Sequence, residues 1–414
     1  MRGRAQSATM PRMTHVIPLK YGCNPNQPHA RVLFDGPAEA CPLKVVNGSP
    51  SFINLLDGLR GWELVRDLKA ATGQPAAASF KHVSPAGAAV AGPLTDAFCA
   101  ANFYPAPGEY AYSPIAAAYA KARSSDRGAS FGDFIAVSET VDASLANLIK
   151  PEVSDGIIAP GYEPEALAIL AAKKAGKYVM LQIDPAYAPA PGSVESRTCF
   201  GLTLEQTFNS AVIDQSLLKN VVTTKRDLPA SAVQSLLVAT ATLKHTQSNS
   251  ICVAMHGQAI GVGAGQQSRI ACTRLACDKA DRFMLKQHPK ALALIGLFKQ
   301  GVGRPDKVNA VDQFVRYHEL DAIELEGLHA LLVKKPEPIT AEEAKQWCAN
   351  FGNGQLTLSS DAFIPFRDNL DRAARSGVRY VLHAGGSARD DLVTDAANEH
   401  GMVMALSGLR LFLH

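Results

Sequence analysis

The sequence predicts an α/β protein, and three observations carry that expectation. From about Val16 onward, short β-rich runs alternate with amphipathic helical stretches. Residues 156–183 read as one strand–helix–strand unit: GIIAP is followed by Glu163 and Pro164 opening a helix, and YVMLQI resumes a strand. Within that helix Ala166, Ile169, Leu170 and Lys173 share one face, and Gly176 closes it. A second unit lies near the C-terminus, where Val378, Tyr380 and Leu382 run into AGGS and the helix ARDDLVTDAANEH stops at Gly401. There Ser387 and Asp390 read as a helix N-cap pair, and Gly385 and Gly386 are expected to leave backbone amides open to a carbonyl or anionic group.

At 414 residues, with 47% hydrophobic and 19% charged content, the chain can bury a large core and exceeds one ordinary domain. Its net charge of +3 contains no long run of one sign, so nothing marks a nucleic-acid partner. The eight cysteines lack the density of a disulfide scaffold and read as reduced, mostly buried thiols. No apolar stretch approaches the roughly 20 residues of a membrane helix, so no membrane partner is expected and the location follows as cytoplasmic. Residues 1–15 carry Arg2, Arg4 and Arg12 without an acid and read as a flexible tail.

Loops follow from composition: 185–192 (PAYAPAPG) is rich in proline, and 220–229 is polar and turn-like. The expected domains are therefore 16–220 and 221–414, the second bearing a helical insertion over about 286–351. Two α/β halves of similar length permit an old duplication.

Absent motifs remove whole classes of chemistry. There is no G-x-x-x-x-G-K-[ST] loop, GVGAG (261–265) lacks dinucleotide spacing, and no P-C-x-x-C accompanies a zinc-deaminase histidine. Four segments remain in which polar residues interrupt apolar surroundings: SFKHVSPAG (79–87), KHTQSNS (244–250), GAGQQSRIACTR (263–274) and SSDAFIPFRDN (359–369). Each sits where an element should end, the usual place for scaffold-held functional groups. Lys81 and His82 follow the β-like run AAASF and precede an expected Ser-Pro-Ala-Gly turn. Adjacent strand residues face opposite ways, so the backbone must bend there if both are to meet one substrate. Such a pair can combine a proton acceptor with a cation for a developing oxyanion.

Together and in this order, the four segments resemble the transformylase part of the bifunctional 5-aminoimidazole-4-carboxamide ribonucleotide (AICAR) formyltransferase/IMP cyclohydrolase family. The phrases SFGDF, EVSDGIIAPGYE, GAGQQSRI and SDAFIPFRDN carry the likeness, which runs from LKYGCNPNQ at Leu19 to LRLFLH. The preceding cyclohydrolase domain is missing, so the resemblance implies a free-standing transformylase without ring-closing activity. It also implies two zinc-free cytidine-deaminase-like α/β domains and a homodimer with active sites at the subunit interface. The implied reaction moves the formyl group of 10-formyltetrahydrofolate to the 5-amine of AICAR.

By the same resemblance, Lys81 and His82 are the catalytic pair. AICAR contacts fall on Lys20, Tyr21, Gly132, Asp155, Asn249, Arg269, Phe363 and Arg410. Folate contacts fall on Ile270, Asp368, Ser387 and Ala388, with Pro365 and Phe366 as an apolar wall. No metal ligand is implied, although a monovalent cation is compatible with the family. Two residues depart from its pattern: Lys20 replaces an arginine, exchanging a two-pronged phosphate clamp for a point charge, and Asn26 replaces a histidine. The alternative on the same fold is a non-catalytic sensor or partner subunit that binds a purine-precursor nucleotide.

Overall fold

The computed structural model describes residues 15–190 and 192–414. Apart from His15, the tail expected over 1–15 lies outside them. Strands β1 (His15–Leu19) and β2 (Ala30–Phe34) pair as a small separate sheet. Then come β3 (Leu43–Asn47), α1 (Phe52–Thr72), β4 (Ala76–Lys81), β5 (Ser84–Val90), α2 (Asp96–Ala101) and α3 (Pro114–Ser124). They are followed by β6 (Asp133–Val137), α4 (Ala143–Ile149), β7 (Ser154–Ala159), α5 (Pro164–Ala171) and β8 (Val179–Ile183). A second isolated hairpin, β9 (Val194–Cys199) and β10 (Leu202–Thr207), precedes α6 (Ala230–Lys244), β11 (Ile251–Met255), β12 (Gln258–Gly263) and α7 (Arg269–Leu285). Four further helices, α8 (Pro289–Ile295), α9 (Arg304–Phe314), α10 (Ala322–Ala330) and α11 (Ala341–Asn350), lead to β13 (Leu356–Ser360). The chain closes with α12 (Asp368–Arg375), β14 (Val378–His383), α13 (Asp390–Glu399) and β15 (Val403–Leu406).

Eleven of these strands form one mixed sheet in the order β15-β14-β13-β11-β12-β5-β4-β6-β7-β8-β3. The order repeats itself. Hairpin β4–β5 pairs antiparallel with β6, which runs parallel to β7 and β8; hairpin β11–β12 pairs antiparallel with β13, which runs parallel to β14 and β15. One helix precedes each hairpin (α1, α6), another follows it (α3, α7), and short helices link the parallel strands. Strand residues alternate between two cores. Ala76, Ala78 and Phe80 join Leu64 of α1 and Val238 of α6 on one face, while Ala77 joins α3, and Ile251 and Val253 join α7, on the other. Because both faces are covered, β6, β11, β12 and β13 are buried throughout, as expected for central strands.

Two glycines set the helix-to-sheet distance equivalently in the two halves. A Cβ on Gly87 would lie 2.2 Å from the Ala122 carbonyl oxygen of α3, and one on Gly261 would lie 2.1 Å from that of Ala276 in α7. The halves meet where β5 pairs with β12, in register only at Gln258↔Ala89 and Ala259↔Ala88. Pairing does not continue toward Pro85, which has no N–H to donate.

Three local expectations need correction. The Ser-Pro-Ala-Gly stretch is not a turn but the start of β5; the reversal occurs one step earlier, at His82 and Val83. The helix expected to run to Gly176 ends at Ala171, because Lys174 and Ala175 adopt left-handed conformations that interrupt it. The last helix begins at Asp390 with Arg389 as its N-cap, so Ser387 lies outside it, yet the expected pair meets: Asp390 Oδ1 accepts the Ser387 N–H at 3.2 Å and Ser387 Oγ accepts the Arg389 N–H at 3.1 Å. The Gly385 and Gly386 amides are not open either: they donate to His383 Nδ1 at 3.2 Å and Asp390 Oδ2 at 2.7 Å. All eight cysteines are free, five of them buried. Among the described residues no helix is long and apolar enough to cross a membrane.

Candidate active site

Strand register gathers most of the sequence-predicted residues at one end of the large sheet. Lys81 ends β4, Gly132 immediately precedes β6, and Asp155 lies at the start of β7, beside one another because Phe80 pairs with Phe134 and Asp133 with Ser154. In the second half Ile251 pairs with both Gly263 and Ser360, and Leu382 lies beside Ser359 and Ala405. That aligns the segments leaving or entering these strands: Asn249, Arg269 and Ile270, then 361–369, 383–389 and Arg410.

The expected catalytic pair, Lys81 and His82, occupies a strained reversal. His82 and Val83 form the two-residue turn of the β4–β5 hairpin, with φ of 55° and 58°. Such turns favour Asn-Gly or Gly-Gly, and a β-branched valine there is a true outlier. The reversal is clamped by Asp57, a buried residue of α1 whose Oδ1 accepts the Val83 backbone N–H at 2.6 Å. Burial pushes the Asp57 carboxyl above its usual range, opposed by the Val83 N–H and the neighbouring His82 charge. Strain of this kind, held by surrounding structure, is a common property of functional sites. It also supplies the bend the sequence required: Lys81 is half-buried and His82 exposed at one sheet end.

Lys81 is fixed as well. Its Nζ donates to the Phe131 carbonyl oxygen, and a Cβ on Gly132 would lie 3.9 Å from both Lys81 Nζ and Asp155 Oδ1. Gly132 has φ of 73°, a conformation that favours glycine. Behind it Asp133 accepts from Ser79 Oγ at 2.5 Å and Arg123 Nη1 at 2.7 Å, and Arg123 also pairs with Glu152. Among the described residues the Asp155 carboxylate is held by an exposed ion pair with Lys174 at 2.9 Å, a weak contact that a ligand can displace.

A second cluster surrounds Arg269. This residue opens α7 at a helix N-terminus, where a cation is disfavoured, and its guanidinium is compensated by an ion pair with fully buried Asp361. Asp361 Oδ2 also accepts from Ser248 Oγ at 2.6 Å and the Ser250 N–H at 3.0 Å. Asn249 is positioned by its Nδ2 donating to the Gln266 carbonyl at 2.8 Å. The C-terminal segment straps across the cluster, Leu411 donating to the Asp361 carbonyl and Leu413 to Ser248 Oγ, so exposed Arg410 sits at its edge.

The predicted folate segments meet through Phe366, over whose ring the Arg389 guanidinium stacks at 4.9 Å. Phe363 and Phe366 are 43% and 52% exposed, so neither is core; Asp368 and Ala388 are also exposed, Pro365 and Ser387 half-buried. Lys20 and Tyr21 stand apart: they follow β1 on its separate small sheet, with the Lys20 ammonium 5.9 Å from the Tyr21 ring and no hydrogen bond to the other candidates.

No hydrogen bond or ion pair joins the Lys81 cluster to the Arg269 cluster among the described residues. Five strand steps separate β7 from β11, roughly 24 Å along the sheet at about 4.8 Å per step. That exceeds what one ribonucleotide spans between Asp155 and Asn249. Three half-open pockets, of about 420, 450 and 270 Å³, are lined by none of the predicted residues. Neither Asp57 nor Asp361 is a site residue in the sequence reading: Asp57 sits in no local motif, and Asp361, although inside the 359–369 segment, gains its role only through tertiary packing against Arg269. No group of three or more His, Cys, Asp or Glu side chains among the described residues could hold a metal ion.

Comparison with known proteins adds an independent line. A sequence profile described as the AICARFT/IMPCHase bienzyme matches residues 2–279. The chain is 29% identical over 400 residues to the "Bifunctional purine biosynthesis protein PurH" of Magnetococcus marinus, a match covering 96% of this chain. The chain spans 59% of that relative's length.

Proposed function

This chain belongs to the AICARFT/IMPCHase bienzyme family, and on that premise we propose that it transfers the formyl group of 10-formyltetrahydrofolate to the 5-amine of AICAR. The products are formyl-AICAR and tetrahydrofolate. His82 accepts a proton from the amine as its nitrogen bonds to the formyl carbon and passes it to N10 as the N10–carbon bond breaks; Lys81 stabilises the tetrahedral oxyanion and the departing N10. The amine is a sluggish nucleophile because its lone pair is drawn into the imidazole carboxamide, so positioning contributes as much as proton transfer.

The observation that carries this reading is the left-handed His82–Val83 turn held by Asp57, which presents a lysine and a histidine side by side at the sheet end shared with Arg269 and Asn249. In this reading Gly132 and Asp155 receive the ribonucleotide from one side, Asn249, Arg269, Phe363 and Arg410 from the other, and Lys20 and Tyr21 approach its phosphate. Folate lies against Ile270, Pro365, Phe366, Asp368, Ser387 and Ala388. The separation of the two clusters along the sheet supports a homodimer in which each site takes one cluster from each subunit.

The repeated strand order supports two cytidine-deaminase-like domains over 16–220 and 221–414, without zinc, the helices between α7 and β13 forming an insertion. A monovalent cation near Asp361 is part of the same proposal, supported by the Ser250 Oγ, which is buried without a hydrogen-bond partner beside the N–H that donates to Asp361. A cytoplasmic location accompanies this reading.

The deciding experiment is a spectrophotometric assay of tetrahydrofolate release with AICAR and 10-formyltetrahydrofolate. Turnover supports the transferase; tight AICAR binding without turnover would instead favour the sensor.

A further inference from the structure

The repeated topology creates a second hairpin turn at the opposite end of the sheet, and a cavity lies beside it. His256 and Gly257 reverse β11 into β12 with φ of 50° and 69°, so a histidine occupies the first left-handed position of both hairpins. The cavity, about 270 Å³, is walled by Phe98, Phe283, Phe351 and Met255. Phe98 and Phe283 meet with ring centroids 6.4 Å apart. Its polar lining comes from Thr95, His256, Gln258, Gln287 and Lys121, the last reaching across from α3 and only 4% exposed.

Lys121 is the unusual feature. Its Nζ donates to the His256 carbonyl at 2.7 Å and the Val90 carbonyl at 3.1 Å, two of the three hydrogens an ammonium offers. Among the described residues no carboxylate pairs with it, whereas buried Arg123, Arg127 and Arg269 all have acidic partners. An uncompensated buried cation is unfavourable, and burial alone holds its pKa down to about 8. The proposed formyl transfer uses neither Lys121 nor this cavity.

We propose that this cavity is a binding site for a small aryl carboxylate, whose ring lies among Phe98, Phe283 and Phe351 and whose carboxylate pairs with the Lys121 ammonium. The aromatic walls select a flat apolar body and the lone cation selects one anionic group. A volume just below the ~300–1,000 Å³ of drug-sized sites limits the ligand to a single ring.

The test is isothermal titration of the full chain with benzoate, and with benzamide as its uncharged counterpart. One saturable benzoate site is expected, with benzamide at least tenfold weaker and benzoate weakened at least tenfold in Lys121→Met. Absence of saturation, equal affinity for the two probes, or unchanged affinity in Lys121→Met would overturn the proposal. Should Lys121→Met not fold, Phe351→Trp supplies a fluorescent cavity wall. Quenching that saturates with benzoate well before benzamide supports the site, and indistinguishable curves refute it.

Discussion

The Asp57 carboxylate accepts the Val83 backbone N–H at 2.6 Å, and so a helix on one face of the sheet restrains the reversal that carries His82. The contact links residues 26 apart in sequence and holds a β-branched residue at positive φ. Removing the acceptor should therefore relax the turn. Asp57→Ala is expected to lower stability by about 1–3 kcal/mol through the stranded N–H and to reduce kcat more than it raises KM for AICAR. Asp57→Asn, which keeps an acceptor oxygen, should recover much of both. Equal kcat in all three proteins would show that the clamp has no bearing on catalysis.

The His82 side chain is exposed, so its replacement reports chiefly on chemistry. His82→Ala should reduce turnover by roughly 10²–10⁴-fold while changing AICAR affinity far less, because the lost group acts mainly in the transition state. Wild-type turnover in this variant would remove His82 from the mechanism.

Interface catalysis can be tested by mixing two inactive chains. Lys81→Ala disables one cluster and Arg269→Ala the other, so exchanged heterodimers should regain one intact site and up to about half the activity per site. If subunits demonstrably exchange and no activity returns, each site is built within one chain.

His383 predicts a pH effect on stability. The N–H groups of Ile364 and Gly385 both donate to its Nδ1, at 3.3 and 3.2 Å, which places the proton on Nε2 and leaves Nδ1 as an acceptor. Burial, aided by Arg269 and opposed by Asp390, pushes the folded pKa down to about 4. The unfolded chain binds a proton near pH 6.5 that the folded chain refuses until about 4. Stability from this group is therefore complete above about pH 6.5 and declines toward pH 4, by roughly 3 kcal/mol at most. Urea unfolding at pH 7 and 4.5 should show a smaller acid-induced loss for His383→Gln, whose carbonyl can take the same two N–H groups. An identical loss in both proteins would assign the effect elsewhere.

Much of the architecture was legible because local patterning is strong. The strand–helix–strand unit over 156–183 appears as β7, α5 and β8, and the C-terminal unit as β14, α13 and β15. Errors fell where a few φ angles decide. Lys174 and Ala175 end a helix that its residues could have continued, and Ser84–Pro85 reads as a turn until cross-strand pairing with Phe80 and Lys81 makes it a strand.

From residue types and their order alone came the α/β class, the missing phosphate and zinc signatures, and the four polar segments at element ends, since each depends on short-range preference and side-chain chemistry. Only the folded chain decided that these segments share one end of a single eleven-stranded sheet and separate into two clusters. It alone supplied Asp57 and Asp361 as anchors, and Lys121 as a buried cation with no carboxylate partner among the described residues. Those facts depend on hydrogen bonds and burial between residues tens to hundreds of positions apart, which local patterning does not encode.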